Sequence, residues 1–183
     1  MRMATIGFVG ALALLSASCE GAAPPAKPEP ASLADGDSCL ASQDYSCAAA
    51  NYTGYLKAYP TDSNTQAKLG IALTRAGKHR EALPAYAKAE EGGVVTYDLF
   101  ANYAVSLDAA GDLDGAIRAN RKALEIVPSL VDVRGSLAQQ LVRKGETAEA
   151  IKLLESFDRD LKRQGHPPYF TAQIASIREK ATK

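Results

Sequence analysis

Three cysteines, at 19, 39 and 47, and two histidines, at 79 and 166, are the side chains of this 183-residue sequence best suited to nucleophilic, redox or metal chemistry. Neither histidine has a second ligand at i+4 or stands beside a cysteine pair, the spacings at which imidazole and thiolate converge on an ion. No metal site and no cofactor are therefore expected. His79 falls in a segment that reads as a turn, and His166 beside Pro167 and Pro168, both places for solvated polar residues. Gly70 and Gly77-Lys78 could suggest a phosphate-cradling loop, but six residues separate the glycines where four are needed, and His79 replaces the required hydroxyl. There is no G-x-S-x-G nucleophile elbow, and the carboxylates Asp112 and Asp114 read as capping residues of a turn. Asn51-Tyr52-Thr53 matches a glycosylation acceptor, yet it stands inside a stretch that reads as helical. No catalytic residue is assigned, and an enzyme is the least favoured reading.

Order appears instead among the small residues. Gly70/Ala104/Ala138, Leu73/Leu107/Leu141, Gly77/Gly111/Gly145 and Ala82/Ala116/Ala150 each recur at intervals of 34. At ordinary glycine usage, three glycines in one fixed register would arise by chance roughly once in three thousand. Such a period belongs to stacked helix-turn-helix units. Antiparallel helices reach the short end of their usual spacing only where small residues cross, which predicts Gly70 against Ala82, Ala104 against Ala116, and Ala138 against Ala150. Gly77, Gly111 and Gly145 each follow a run of helix formers and precede a polar residue, so they read as left-handed helix-ending glycines.

On these residues the chain resembles the tetratricopeptide-repeat family. The best copy is Tyr97 to Leu130, with Phe100, Tyr103-Ala104, Leu107, Ala116, Ala123 and a closing Pro128, while Asn120 departs from the usual aromatic. Ser63 to Thr96 supplies Leu69-Gly70, Leu73, Ala82, Tyr86 and Ala89; the copy from Val131 supplies Leu137-Ala138, Leu141, Ala150, Leu154 and Phe157, with Arg134 where a large aromatic belongs. Counting back from Ala82 and Tyr86 reaches Ala48 and Tyr52, in a degraded first copy closed by Pro60. Its first helix should be short and start at Asp37 or Ser38. The resemblance implies an all-α, right-handed solenoid of three to four helix-turn-helix repeats over residues 37–183. The repeats are placed at about 37–62, 63–96, 97–130 and 131–166, with a capping helix over 168–182, since terminal repeats are normally atypical.

The chain's first residues are of another kind. Arg2 precedes an uncharged apolar run, too short to span a bilayer, that ends in Ser16-Ala17-Ser18, the layout of an export signal over residues 1–18. Leu15-Ser16-Ala17-Ser18-Cys19 resembles the lipobox of bacterial lipoproteins, with Ser16 where leucine is commonest. The resemblance implies a lipid anchor on Cys19 in the bacterial envelope, with the periplasmic face of the outer membrane favoured. The alternative is an ordinary secretory signal that releases the chain to the periplasm. Residues 19–36, with Pro24, Pro25, Pro28 and Pro30, read as a semi-rigid tether. With Cys19 lipidated, Cys39 and Cys47 remain as an even pair in an oxidising compartment and are expected to be joined; two idle thiols are the alternative.

Charge adds little: 21 basic and 21 acidic residues balance, and removing Arg2 with the leader leaves 20 against 21. No basic run points to nucleic acid. The family resemblance places a protein or peptide partner on a concave face built from the first helices of the repeats. Its candidate residues are Lys68, Ile71, Arg75, Asp98, Asn102, Val105, Asp108, Gln139 and Arg143. The expected function is that of a lipid-anchored adaptor or scaffold in envelope assembly, of the pilus, secretin or outer-membrane type. An accessory subunit recruiting a cell-wall enzyme is the alternative, and oligomeric state is left open.

Overall fold

Short polar residues open most of the helices. A computed structural model describes residues 32–181 of the chain. In it, side-chain oxygens of Ser32, Asp44, Asp62, Thr96 and Asp112 accept hydrogen bonds from backbone N–H groups three residues on. Each satisfies a donor that has no partner within its helix. The helices are α1 Leu33–Ala41, α2 Tyr45–Ala58, α3 Ser63–Arg75, α4 His79–Glu91, α5 Tyr97–Ala110, α6 Leu113–Ile126, α7 Val131–Lys144, α8 Thr147–Arg163 and α9 Thr171–Ala181. Among the described residues there is no strand. The fold is an all-α solenoid of four hairpins, α1/α2 to α7/α8, closed by α9. The leader expected over residues 1–18, Cys19 and most of the expected tether lie outside the described residues.

Each hairpin turns in the same way. Gly111 has φ of 94° and lets the Asp112 N–H reach back to the Leu107 carbonyl at 2.9 Å, the closing bond of a Schellman-type end. Gly77 and Gly145 do the same in the second and fourth hairpins. In the first, 34 residues before Gly77, the position is held by Gln43 at φ 62°, and the Asp44 N–H still reaches the Cys39 carbonyl at 2.9 Å.

At Gly70 the atoms nearest to an added Cβ belong to Tyr86, one turn beyond Ala82. A Cβ added to Gly70 would lie 2.7 Å from Cε1 of Tyr86, and one added to Gly36, 34 residues earlier, 2.6 Å from Cε1 of Tyr52. Both rings are fully buried. The glycine therefore makes room for a tyrosine of the second helix, four residues beyond the alanine of the same helix. Ala104 and Ala138 can carry a methyl because the register positions opposite, Asn120 and Leu154, hold smaller side chains than tyrosine. Ala82, Ala116 and Ala150 are fully buried.

The first hairpin starts earlier than the sequence pattern suggests. Ser32 caps α1, so residues 33–36, expected to be tether, are helical, and Gly36 stands inside the helix. Asp37, expected as the cap, accepts hydrogen bonds from the Tyr52 hydroxyl at 2.8 Å and from Lys68 Nζ at 2.8 Å. It thereby ties α1 to both α2 and α3. Cys39 on α1 and Cys47 on α2 are joined by a disulfide, with Cα atoms 5.7 Å apart.

At the other end, Arg134 does occupy the aromatic position of the fourth repeat. Its guanidinium lies 4.6 Å from the centroid of the Phe157 ring and donates to the Pro128 carbonyl at 2.6 Å. Gln66, at the same position two repeats earlier, donates to the Pro60 carbonyl at 3.3 Å. Arg134 thus replaces an aromatic by stacking on one. Asp158 of α8 accepts from the backbone N–H groups of Tyr169 and Phe170 at 2.8 and 2.9 Å, fixing the approach to α9, which begins at Thr171. Phe170, Ile174 and Ile177 are buried and close the last core.

Candidate functional site

The first helices of successive hairpins, α3, α5 and α7, line a groove of about 890 Å³. Along its middle runs a strip from α5: Tyr97, Ala101 and Val105, one helical turn apart and on one face. Val105 is 50% exposed and Tyr97 39%, and among the described residues no other large apolar side chain of the groove stands so open. Leu130, Val131 and Val133 extend the apolar surface at the start of α7. These side chains can hold an extended segment by burying its apolar groups, and Asn102, Ser136 and Gln139 beside them can meet its backbone.

Beneath the strip the inter-repeat contacts are polar and satisfied. The Thr74 hydroxyl donates to the Gly70 carbonyl at 2.9 Å and lies 2.8 Å from the Tyr86 hydroxyl and 2.7 Å from that of Ser106. With its one proton committed, Thr74 accepts from both of the others. Burial raises the Tyr86 hydroxyl well above its ordinary pKa, so it stays a donor. One repeat further, Asn120 donates to Gln140 at 2.8 Å, Gln140 donates to the Asp108 carboxylate at 3.3 Å, and Asp108 holds Arg143 at 2.6 Å. The two sets occupy equivalent register positions: 74 and 108, 86 and 120, 106 and 140. A buried polar chain of this kind fixes how one hairpin seats on the next, since breaking one link leaves a buried group unpaired.

Seven of the nine candidate residues come together here: Arg75, Asp98, Asn102, Val105, Asp108, Gln139 and Arg143. Lys68 and Ile71 do not. Lys68 is drawn toward Asp37, and Ile71 packs against the core formed by the first three hairpins. The groove also uses Tyr97, Leu130, Thr74, Asn120 and Gln140, which the outward-facing pattern of the first helices leaves out. Asn120 carried a signal: an amide at a position the other repeats fill with buried side chains requires a polar partner.

The residues weighed for chemistry are dispersed. His79 opens α4 with a buried Nδ1 lacking a hydrogen-bond partner, and His166 is exposed beyond α8. Gly70 is within α3 while Gly77 is in the following turn, so they form no phosphate loop. Asp112 caps α6, and Asp114 pairs with Lys144 at 2.8 Å. Asn51, inside α2, donates to the Cys47 carbonyl at 3.1 Å. Among the described residues no group of three or more His, Cys, Asp or Glu could hold a metal ion, and no helix is long and apolar enough to cross a membrane.

No family model matches this sequence, and no curated protein matches it. Solved structures do match the fold. MamA MSR-1 superposes with a TM-score of 0.63 at 20% identity, covering 72% of this chain and 76% of that one. MamA from Desulfovibrio magneticus RS-1, from residue 41 to its end, gives 0.63 at 20% identity, with 70% and 72% covered. YrrB, described as a TPR protein with an unusual peptide-binding site, gives 0.62 at 18% identity, with 67% and 63% covered. At these identities the likeness carries the tetratricopeptide-type solenoid.

Proposed function

We propose that this chain is a non-catalytic adaptor, anchored in the bacterial envelope through Cys19, whose concave groove holds an extended segment of a partner protein during envelope assembly. Tyr97 and Val105, exposed on one face of α5 in a groove of about 890 Å³ whose underlying polar groups are already paired, carry the reading. Exposed apolar side chains in a concave, otherwise satisfied surface mark a place for another molecule. The fold it shares with a solved peptide-binding solenoid supports the same reading. The lipobox-like residues before Cys19 supply the anchor, and lipidation there would present the groove from a membrane surface to soluble partners.

Two substitutions in the full-length protein test the two halves separately. Cys19→Ser should move the protein from the membrane fraction to the soluble one and abolish lipid labelling, and unchanged membrane retention rejects the anchor. Val105→Arg should leave the fold and membrane attachment intact while removing a specific co-purifying protein. A partner retained at the wild-type level rejects the groove.

A further inference from the structure

The groove's charges that stand outside ion pairs are sorted by end. Asp98 and Asp132 stand in the first turns of α5 and α7, and Arg75 in the last turn of α3. All three line the groove, and none has an ion-pair partner among the described residues; the Asp98 carboxylate meets the hydroxyl of the adjacent Tyr97. Arg143, the other basic residue in the groove, is neutralised by Asp108 at 2.6 Å. Repetition produces this layout: positions 98 and 132 are one register column, and positions 75 and 143 another, with Ala109 between them. The acidic end is also the apolar end, because Tyr97, Leu130 and Val131 lie beside the two aspartates. An apolar wall ending in carboxylates suits a lysine or arginine, whose methylene stem can be buried while its head stays charged.

We propose that the groove selects an extended protein segment with a basic residue at one end and an acidic residue at the other, the basic one against Tyr97, Asp98 and Asp132 and the acidic one at Arg75, with a small apolar residue over Val105 between them. The proposal rests on the adaptor reading above and adds the partner's charge pattern. Eleven positions separate the Asp98 and Arg75 columns, a rise of about 16 Å along the helices. A diagonal from α7 over α5 to α3 adds two helix spacings and comes to about 25 Å. An extended segment covers these distances in about five to eight residues. Aspartates at helix starts and arginines at helix ends also complement the helix dipoles, but that role affects stability and gives no preference among ligands.

The test is a selection of displayed random dodecapeptides on immobilised full-length protein, run in parallel on Asp98→Asn/Asp132→Asn, Arg75→Glu and Val105→Arg variants whose circular dichroism matches wild type. Expected are enriched sequences with a Lys or Arg and a Glu or Asp separated by the stated span. The basic preference should be lost in the double variant, and Arg75→Glu should turn the acidic position basic. Titration of the selected peptides should show a change of about two- to fivefold per altered charge. Enriched sequences without the charge pair, or the same sequences selected by the charge variants, overturn the charge pattern; loss of binding in Val105→Arg would then still uphold the groove. No enrichment on wild type, or equal enrichment on Val105→Arg, overturns both.

Discussion

Gly70 and Tyr86 are in direct contact across the α3/α4 hairpin, where a single added methyl would come 2.7 Å from the ring. The ring has nowhere to go, because Tyr86 is fully buried and its hydroxyl is held by Thr74 at 2.8 Å. Gly70→Ala gains some helix propensity yet overfills this contact, and the net loss should be about 1 to 3 kcal/mol. Denaturant melts of Gly70→Ala, Tyr86→Leu and the double variant would check it. The double variant should be more stable than the sum of the single losses allows, and strict additivity would refute the contact.

Gln43 marks the opposite case, a side chain where the other hairpins use glycine. At φ 62° it sits in the left-handed region, which costs a non-glycine residue about 1 kcal/mol. Gln43→Gly should therefore stabilise the protein by about 0.5 to 1 kcal/mol, seen as a raised thermal midpoint. A lowered midpoint would show that Gln43 contributes more through contacts than it loses in conformation.

The seat of α1 should depend on pH. Lys68 first, and Tyr52 after it, hold the Asp37 carboxyl below the usual carboxylate range against the opposing effect of burial. A depressed native pKa contributes stability that is present above the unfolded value of about 4 and is lost as pH falls through the native one. Protection of the α1 amides relative to their intrinsic exchange rates should fall below about pH 4, and Asp37→Asn should show reduced protection at neutral pH and lose that acid-dependent step. An unchanged pH profile in Asp37→Asn would reject this account.

The disulfide should matter most to the same hairpin. Closing the short loop between Cys39 and Cys47 is worth about 2.5 kcal/mol on the chain-entropy estimate. Reduction should raise exchange in α1 and α2 and leave α5 to α8 protected. Uniform loss of protection along the chain would contradict a local staple.

Much of this architecture could be read from the sequence because the residues that set it must recur. Left-handed turns at Gly77, Gly111 and Gly145 and small residues at the helix crossings are demanded by every hairpin, so they show as columns. Gly36 belongs to the same column as Gly70, but a glycine between two aspartates reads locally as a helix breaker, and this hid the true start of α1. The groove's exposed residues were legible because side chains pointing outward from the first helices keep the helical period. Lys68 was not, since its direction is set by Asp37, thirty-one residues away. The Asn120–Gln140 pair was equally hidden, because neither amide names its partner until the hairpins are stacked.

On the proposed reading, a partner sits on the α5 face that carries Tyr97 and Val105. A photo-crosslinking amino acid placed at Val105 in the full-length protein, expressed in its native cells, tests this most directly against the same probe at Glu125 on α6, an exposed residue outside the groove. A discrete crosslinked protein at position 105 and none at 125 is the predicted result. The same adducts at both positions, or none at 105, would contradict the account.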